Sequence, residues 1–311
     1  MAIVPEPVLV VGSVAVDAII TPRQTRDACP GGSAVFFAMA ASYFAPVRLV
    51  GVIGDDFPDG TLEDLRRHGV DLEGLQRIAG GKTFRWKGRY HENMNQRDTL
   101  ETHLNVFENF EPKLPASYRK TPFLFLANIQ PTLQLDVLEQ AGQARLVGMD
   151  TMNLWIDIAR EDLARVLAKV DVLTINEEEA LQLSGEHNLV RAARTIQGLG
   201  PKNVVVKRGE YGAMLFHGDD VFVTPALPLD EVIDPTGAGD SFAGGFMGYL
   251  ARIGDLSGEH LRRAMIYGTV LASYCVQGFS YEAMDHLTLA DVQRRFDEFS
   301  ALTDFSRAKL A

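Results

Sequence analysis

Asp234-Pro235-Thr236-Gly237-Ala238-Gly239-Asp240-Ser241-Phe242-Ala243-Gly244-Gly245-Phe246 is the stretch that decides the fold. Two glycines bracket an alanine, an acid follows at once, and small or apolar residues continue to Leu250. That order predicts a tight turn opening into a buried helix. The first N–H groups of a helix have no partner inside it. Gly237, Ala238 and Gly239 would therefore offer uncovered donors at the helix's positive end, where an anion settles. Asp240 falls in the first turn beside that anion. A bound phosphate would raise its proton affinity, which suits a general base acting on an alcohol. The pattern points to phosphoryl transfer to a hydroxyl. On this run alone a plainer reading stays open, with Thr236 as a helix cap and Asp240 simply favouring the helix dipole.

The chain has 311 residues, enough for one large α/β domain or two ordinary ones. With 46% hydrophobic and 23% charged residues its composition is that of a globular protein. The net charge of −11 argues against a general nucleic-acid-binding surface. Cys29 and Cys275 are the only cysteines, too few for a disulfide framework and without metal-ligand spacing. The start, Met1 to Pro7, lacks a basic segment followed by a long apolar one, and no apolar run reaches membrane-spanning length. A cytoplasmic enzyme with no membrane or nucleic-acid partner is expected.

Short apolar runs read as buried strands at Val8–Gly12, Val47–Ile53, Phe123–Ala127, Arg145–Met149, Val170–Ile175 and Asn203–Val206. Helical patterns lie between or after them, at Ser33–Ser42, Thr61–His68, Leu133–Ala141, Glu161–Ala168, Glu177–Ser184, Leu189–Leu199 and Ala264–Gln277. Strands alternating with helices predict an α/β fold with a mostly parallel sheet covered on both faces. Residues 82–106 break the rhythm. Phe84, Trp86 and Tyr90 alternate with Arg85, Lys87 and Arg89, as in an antiparallel hairpin projecting from the sheet. Its aromatic face would cover a ligand, pack on a second subunit, or form a small satellite core.

The Asp-x-Thr-Gly-Ala-Gly-Asp string closely resembles the C-terminal signature of the ribokinase-like (PfkB) carbohydrate kinases. Four further segments match in the same order, so the resemblance spans nearly the whole chain. Gly12-Ser13-Val14-Ala15-Val16-Asp17 resembles the family's strand-to-lid segment, which implies that Asp17 binds substrate hydroxyls; a carboxylate can accept both hydrogen bonds of a vicinal diol. Gly31-Gly32 resembles the substrate-side glycine pair. Asn176-Glu177-Glu178-Glu179 resembles the Asn-x-x-Glu motif, which implies that Asn176 and Glu179 position water-coordinated magnesium. The same four residues also read as a helix capping box. Val204 to Ala213 resembles the strand and glycine turn bordering the nucleotide, with Lys207 approaching phosphate and Gly209 letting the nucleotide pack close.

Further expectations follow from the resemblance. It implies a ribokinase-like fold over 1–311, with a β-lid from about 13–24 and 82–106. It also implies that Asn128 contacts substrate and that Thr236 lies at the nucleotide. Asp234 and Thr236 match positions that hold a monovalent cation, K⁺ or Na⁺, in some members. Two departures stand out. Phe36 occupies a position where members often carry asparagine, and Asp150-Thr151-Met152-Asn153-Leu154-Trp155 resembles an Asp-x-Asn-x-Arg stretch without its arginine. The implied activity is ATP- and Mg²⁺-dependent phosphorylation of a sugar hydroxyl. A nucleoside acceptor is the alternative, favoured by Phe36, Phe37 and the aromatic hairpin face. A phosphorylated sugar ranks third, and a non-catalytic ligand sensor is the reading outside enzymology. A homodimer through the lid is also expected.

Overall fold

The computed structural model describes residues 4–304, so the outermost positions of the expected 1–311 domain lie outside the described residues. From the N-terminus the elements are β1 (Val8–Val11), β2 (Ala15–Ile20), β3 (Thr25–Gly31), α1 (Ser33–Ala41), β4 (Val47–Ile53), α2 (Asp59–Arg67) and β5 (Val70–Arg77). Next come β6 (Phe84–Tyr90), β7 (Arg97–His103), β8 (Phe123–Leu126), α3 (Pro131–Gln140), β9 (Leu146–Asp150), α4 (Asn153–Ile158) and α5 (Arg160–Leu167). The last part holds β10 (Val172–Asn176), α6 (Glu177–Ser184), α7 (Leu189–Gln197), β11 (Asn203–Lys207), β12 (Ala213–His217), β13 (Asp220–Thr224), α8 (Ala238–Ile253), α9 (Gly258–Cys275) and α10 (Leu289–Thr303).

Nine strands form the main sheet in the order β13-β12-β11-β10-β9-β8-β1-β4-β5. The seven from β5 to β11 are parallel, and β12 and β13 complete one edge antiparallel. Alternate residues of each central strand face two separate cores. Val8 and Val10 pack toward α1, α8 and α9, whereas Leu9 and Val11 pack toward α3, α5, α6 and α7. This double covering explains the near-continuous apolar runs of the central strands. Helices α1 and α8 are buried almost all round, because small residues let them approach closely. A Cβ on Gly244 would meet the Phe37 carbonyl, and one on Gly248 would lie 2.9 Å from the Ala41 carbonyl oxygen.

Chain order reverses beside β1, which leads to β4 on one side and pairs with β8 on the other. Such a switch point opens a crevice at the carboxyl ends of the parallel strands. A second sheet, β3-β2-β6-β7, stands beside that crevice. Its N-terminal half differs from the expected 13–24, since β3 runs on to Gly31. The charged sequence Thr25-Arg26-Asp27, followed by Pro30, hides this strand from any alternation rule. The hairpin of β6 and β7 is antiparallel, with a register shift at Lys87/Gly88.

That hairpin's aromatic face turns inward. Tyr90 joins Ile19, Cys29 and Phe279 in a small satellite core, and Phe84 packs against Phe107 with ring centroids 5.4 Å apart. Arg85 and Lys87 are paired with Asp56 and Glu101 at 2.9 and 3.0 Å. Two of the three basic residues that alternate with the aromatic ones are thereby engaged within the protein, and Arg89 is exposed. Among the described residues no helix is long and apolar enough to cross a membrane.

Candidate active site

Five of the singled-out positions meet where the parallel strands end. Asn128 follows β8, Asp150 ends β9, Asn176 ends β10, Lys207 ends β11, and Gly12 follows β1 and leads into β2, which carries Asp17. The α8 turn closes the crevice. Gly237 caps the helix at φ 78°, a left-handed backbone that strains any residue with a Cβ. Added there, a Cβ would overlap the ring of Phe36. Phe36 is 2% exposed, and Phe37 is stacked on Phe125 with centroids 4.5 Å apart. Both phenylalanines are core residues, so neither presents the flat wall to a base that the sequence left open.

The turn does not leave all three expected amides free. The Ala238 N–H donates to the Pro235 carbonyl at 3.2 Å, whereas the Gly237 and Gly239 N–H groups have no protein partner among the described residues. Lys207 brings a positive charge to the same place. Its Nζ is 3.0 Å from where a Cβ on Gly239 would stand and 2.6 Å from Asp150 Oδ2. Burial alone would lower the proton affinity of Lys207, but the Asp150 carboxylate outweighs it and the ammonium is held above its ordinary range.

Asp240 lies half-buried in the first turn of α8. Burial, then the charge of Asp150, pushes its carboxyl up to about 7, against the opposing pull of Lys207 and Arg97. A carboxylate poised near neutrality is well matched to proton abstraction. Asp17 is pushed up to about 8 by burial and by the charges of Asp234 and Asp240. Gly31 makes room for it, since a Cβ there would occupy the space of Asp17 Oδ2. Gly32 is the cap residue of α1, adjoining Ser13.

Asn176 and Glu179 form the reciprocal capping box that their spacing allowed. Asn176 Oδ1 accepts from the Glu179 N–H at 2.8 Å, and Glu179 Oε2 accepts from the Asn176 N–H at 3.1 Å. Asn176 Oδ1 keeps a second lone pair, and its amide Nδ2 keeps its donors, for other partners. The second oxygen of Glu179 takes no part in the box, and burial and then Asp150 push that carboxyl up to about 7. Among the described residues no group of three His, Cys, Asp or Glu side chains forms a metal cluster. Asp234 is fully buried; its Oδ1 accepts from the Thr236 N–H at 2.8 Å while Oδ2 has no partner.

The lid reaches these groups from above. Tyr90 and Thr236 share a hydrogen bond of 3.0 Å between their hydroxyls, and Asn95 Nδ2 donates to Glu210 Oε1 at 3.0 Å. Asn95 fills the space over Gly209, where the nucleotide was expected to pack close. Sequence reasoning missed Arg97, which lies over the Trp86 ring and acts electrostatically on Asp240 and Glu179. Nothing local marks it out among the charged residues of the hairpin. Asn128 Oδ1 accepts from Trp155 Nε1 at 2.9 Å, a pairing equally invisible from spacing.

Comparison with known proteins agrees with this fold. The family model "pfkB family carbohydrate kinase" matches residues 6–284. A cytidine kinase from Thermococcus kodakarensis is 35% identical over 250 residues, covering 78% of this chain and 88% of that protein. An aminoimidazole riboside kinase from Salmonella typhimurium is 27% identical, over 79% of this chain and 81% of its own length. The adenosine kinase structure from Sinorhizobium meliloti superposes with a TM-score of 0.77 at 19% identity, over 94% of this chain and 99% of that one. The Thermotoga maritima ribokinase gives 0.73 at 23%, over 93% and 99%. These two share the fold. The chain belongs to the pfkB family of carbohydrate kinases, ATP-dependent phosphotransferases with a hydroxyl acceptor.

Proposed function

We propose that this chain transfers the γ-phosphoryl group of ATP to a hydroxyl of a riboside, a nucleoside before a free sugar. The observation that carries the transfer is the half-buried Asp240 carboxylate beside the Gly237 and Gly239 amides and the Lys207 ammonium. Asp240 takes the proton of the acceptor hydroxyl, while the amides and Lys207 stabilise charge developing on the phosphoryl oxygens. Asp17, with Gly31 and Gly32 beside it, accepts from the ribose diol, and Asn128 lines the same end of the crevice. The lid residues Tyr90 and Asn95 exclude water, which limits hydrolysis of ATP. The 35% identity to a cytidine kinase supports the riboside.

Magnesium, held through water by Glu179, would neutralise charge on the nucleotide phosphates. The orphaned Oδ2 of Asp234, with Thr236 beside it, fits a K⁺ or Na⁺ ion. Gly209 and Thr236 fall on the nucleotide side. We place the enzyme in the cytoplasm, in keeping with two buried free cysteines. We also assign it a homodimer through the lid, whose β7 is exposed along its length. An assay of ADP release across nucleosides, ribose and other sugars tests the acceptor. Fastest turnover on a nucleoside is expected; free sugars turning over at least about tenfold faster would overturn the riboside assignment.

A further inference from the structure

Asp150 has no place in the scheme above, yet its carboxylate is built into the site with care. It ends β9, and its partner Lys207 ends β11, with β10 between them. In the strand register Asp150 lies opposite Thr174 of β10, and Lys207 lies opposite Asn176. The 2.6 Å ion pair therefore bridges the end of β10 immediately before the capping box. Both side chains are largely shielded, at 17% exposure for Lys207 and 7% for Asp150. Asp150 is itself fixed. Oδ1 accepts from the Thr151 N–H at 2.8 Å, and its carbonyl accepts from the buried Gln134 side chain at 3.2 Å.

We infer that Asp150 is a positioning residue for phosphoryl transfer, whose carboxylate holds the Lys207 ammonium against Gly239 in the anion pocket before the phosphate arrives. The inference rests on the proposed role of that pocket. A lysine has four rotatable bonds, and ordering it costs up to about 2 kcal/mol of side-chain entropy. Pairing with Asp150 settles that cost during folding, so the cation needs no reorganisation when negative charge develops. Only Oδ2 faces the lysine, so the other Nζ protons remain available to phosphoryl oxygens.

A double-mutant cycle tests this, using steady-state kinetics with an acceptor that the wild-type enzyme phosphorylates. Lys207→Met should lower kcat on the order of 10³-fold, the scale of losing one transition-state donor. Asp150→Asn keeps the Thr151 bond but releases the lysine, and should lower kcat on the order of 10²-fold with acceptor KM little changed. The double variant should be no slower than Lys207→Met alone, because Asp150 acts through the lysine. A double variant slower by the product of the two losses would overturn the inference, as would wild-type kcat in Asp150→Asn. Should Asp150→Asn not fold with its lysine left unpaired, the double variant carries no unpaired charge, and its comparison with Lys207→Met still decides. Asp240→Asn separates the two levels. Retained turnover there refutes the pocket's role, whereas an additive cycle with inactive Asp240→Asn refutes Asp150 alone.

Discussion

Gly237→Ala challenges the α8 turn with a single methyl group, and its cost can be worked from the geometry. The residue sits at φ 78°, ψ 0°, where an alanine is about 1 kcal/mol worse than glycine. Its Cβ would also overlap the ring of Phe36, which cannot swing away because α1 is buried along its whole length. Overpacking of that kind costs roughly 1–3 kcal/mol, giving a total of about 2–4 kcal/mol. Urea unfolding with an unchanged m-value measures it. The background Phe36→Ala, which removes the side chain from Cγ outward, separates the two contributions. There the methyl has room, and Gly237→Ala should cost only the backbone share of about 1 kcal/mol. Turnover should fall on the order of 10²-fold in the single variant, since the amides of the pocket shift with the turn. Destabilisation below about 0.5 kcal/mol with unchanged turnover would refute the described turn and its contact with Phe36.

Other outcomes follow from the buried acids. Asp17, Asp240, Glu179 and Asp234 are raised to about 8, 7, 7 and 6. Each keeps its proton in the folded state at a pH where the unfolded chain has lost it, so stability falls as pH rises through that interval. The urea midpoint of the ligand-free protein should therefore be lower at about pH 8 than at about pH 5, and Asp17→Asn should flatten the dependence. A midpoint rising over this range would contradict the arrangement of acids. Glu179→Gln preserves an acceptor for the Asn176 N–H, so the helix should survive while the Mg²⁺ needed for half-maximal turnover rises about tenfold. An unchanged requirement would remove Glu179 from the metal.

What the sequence disclosed was local, and what it concealed was tertiary. The α8 turn was legible because glycines, an acid and a run of small residues stand in consecutive positions. The central strands were legible because burial on both faces leaves continuous apolar runs such as Val8–Val11. β5 escaped because an edge strand alternates exposed and buried residues irregularly, as Val70–Arg77 does. Helix α10 starts at a Thr288/Asp291 capping box that follows the last strand and belongs to no βαβ repeat. The Asp150–Lys207 pair joins residues 57 apart, and only strand order brings them together. Asn176 and Glu179 carried two readings that spacing alone did not separate; the bonds fix the capping role and leave acceptor capacity on both side chains for other work.

The rate of phosphoryl transfer in Asp240→Asn, beside a direct measurement of ATP binding, bears on the centre of this account. The amide keeps the side chain's shape but cannot take a proton, so turnover should drop by roughly 10²–10⁴-fold while ATP still binds. In the wild type the same group should give the pH profile of kcat/KM an acid limb near 7, with the value falling as pH drops and the carboxylate becomes protonated. An asparagine variant that phosphorylates its acceptor at close to the wild-type rate would contradict the assignment of Asp240 as the base.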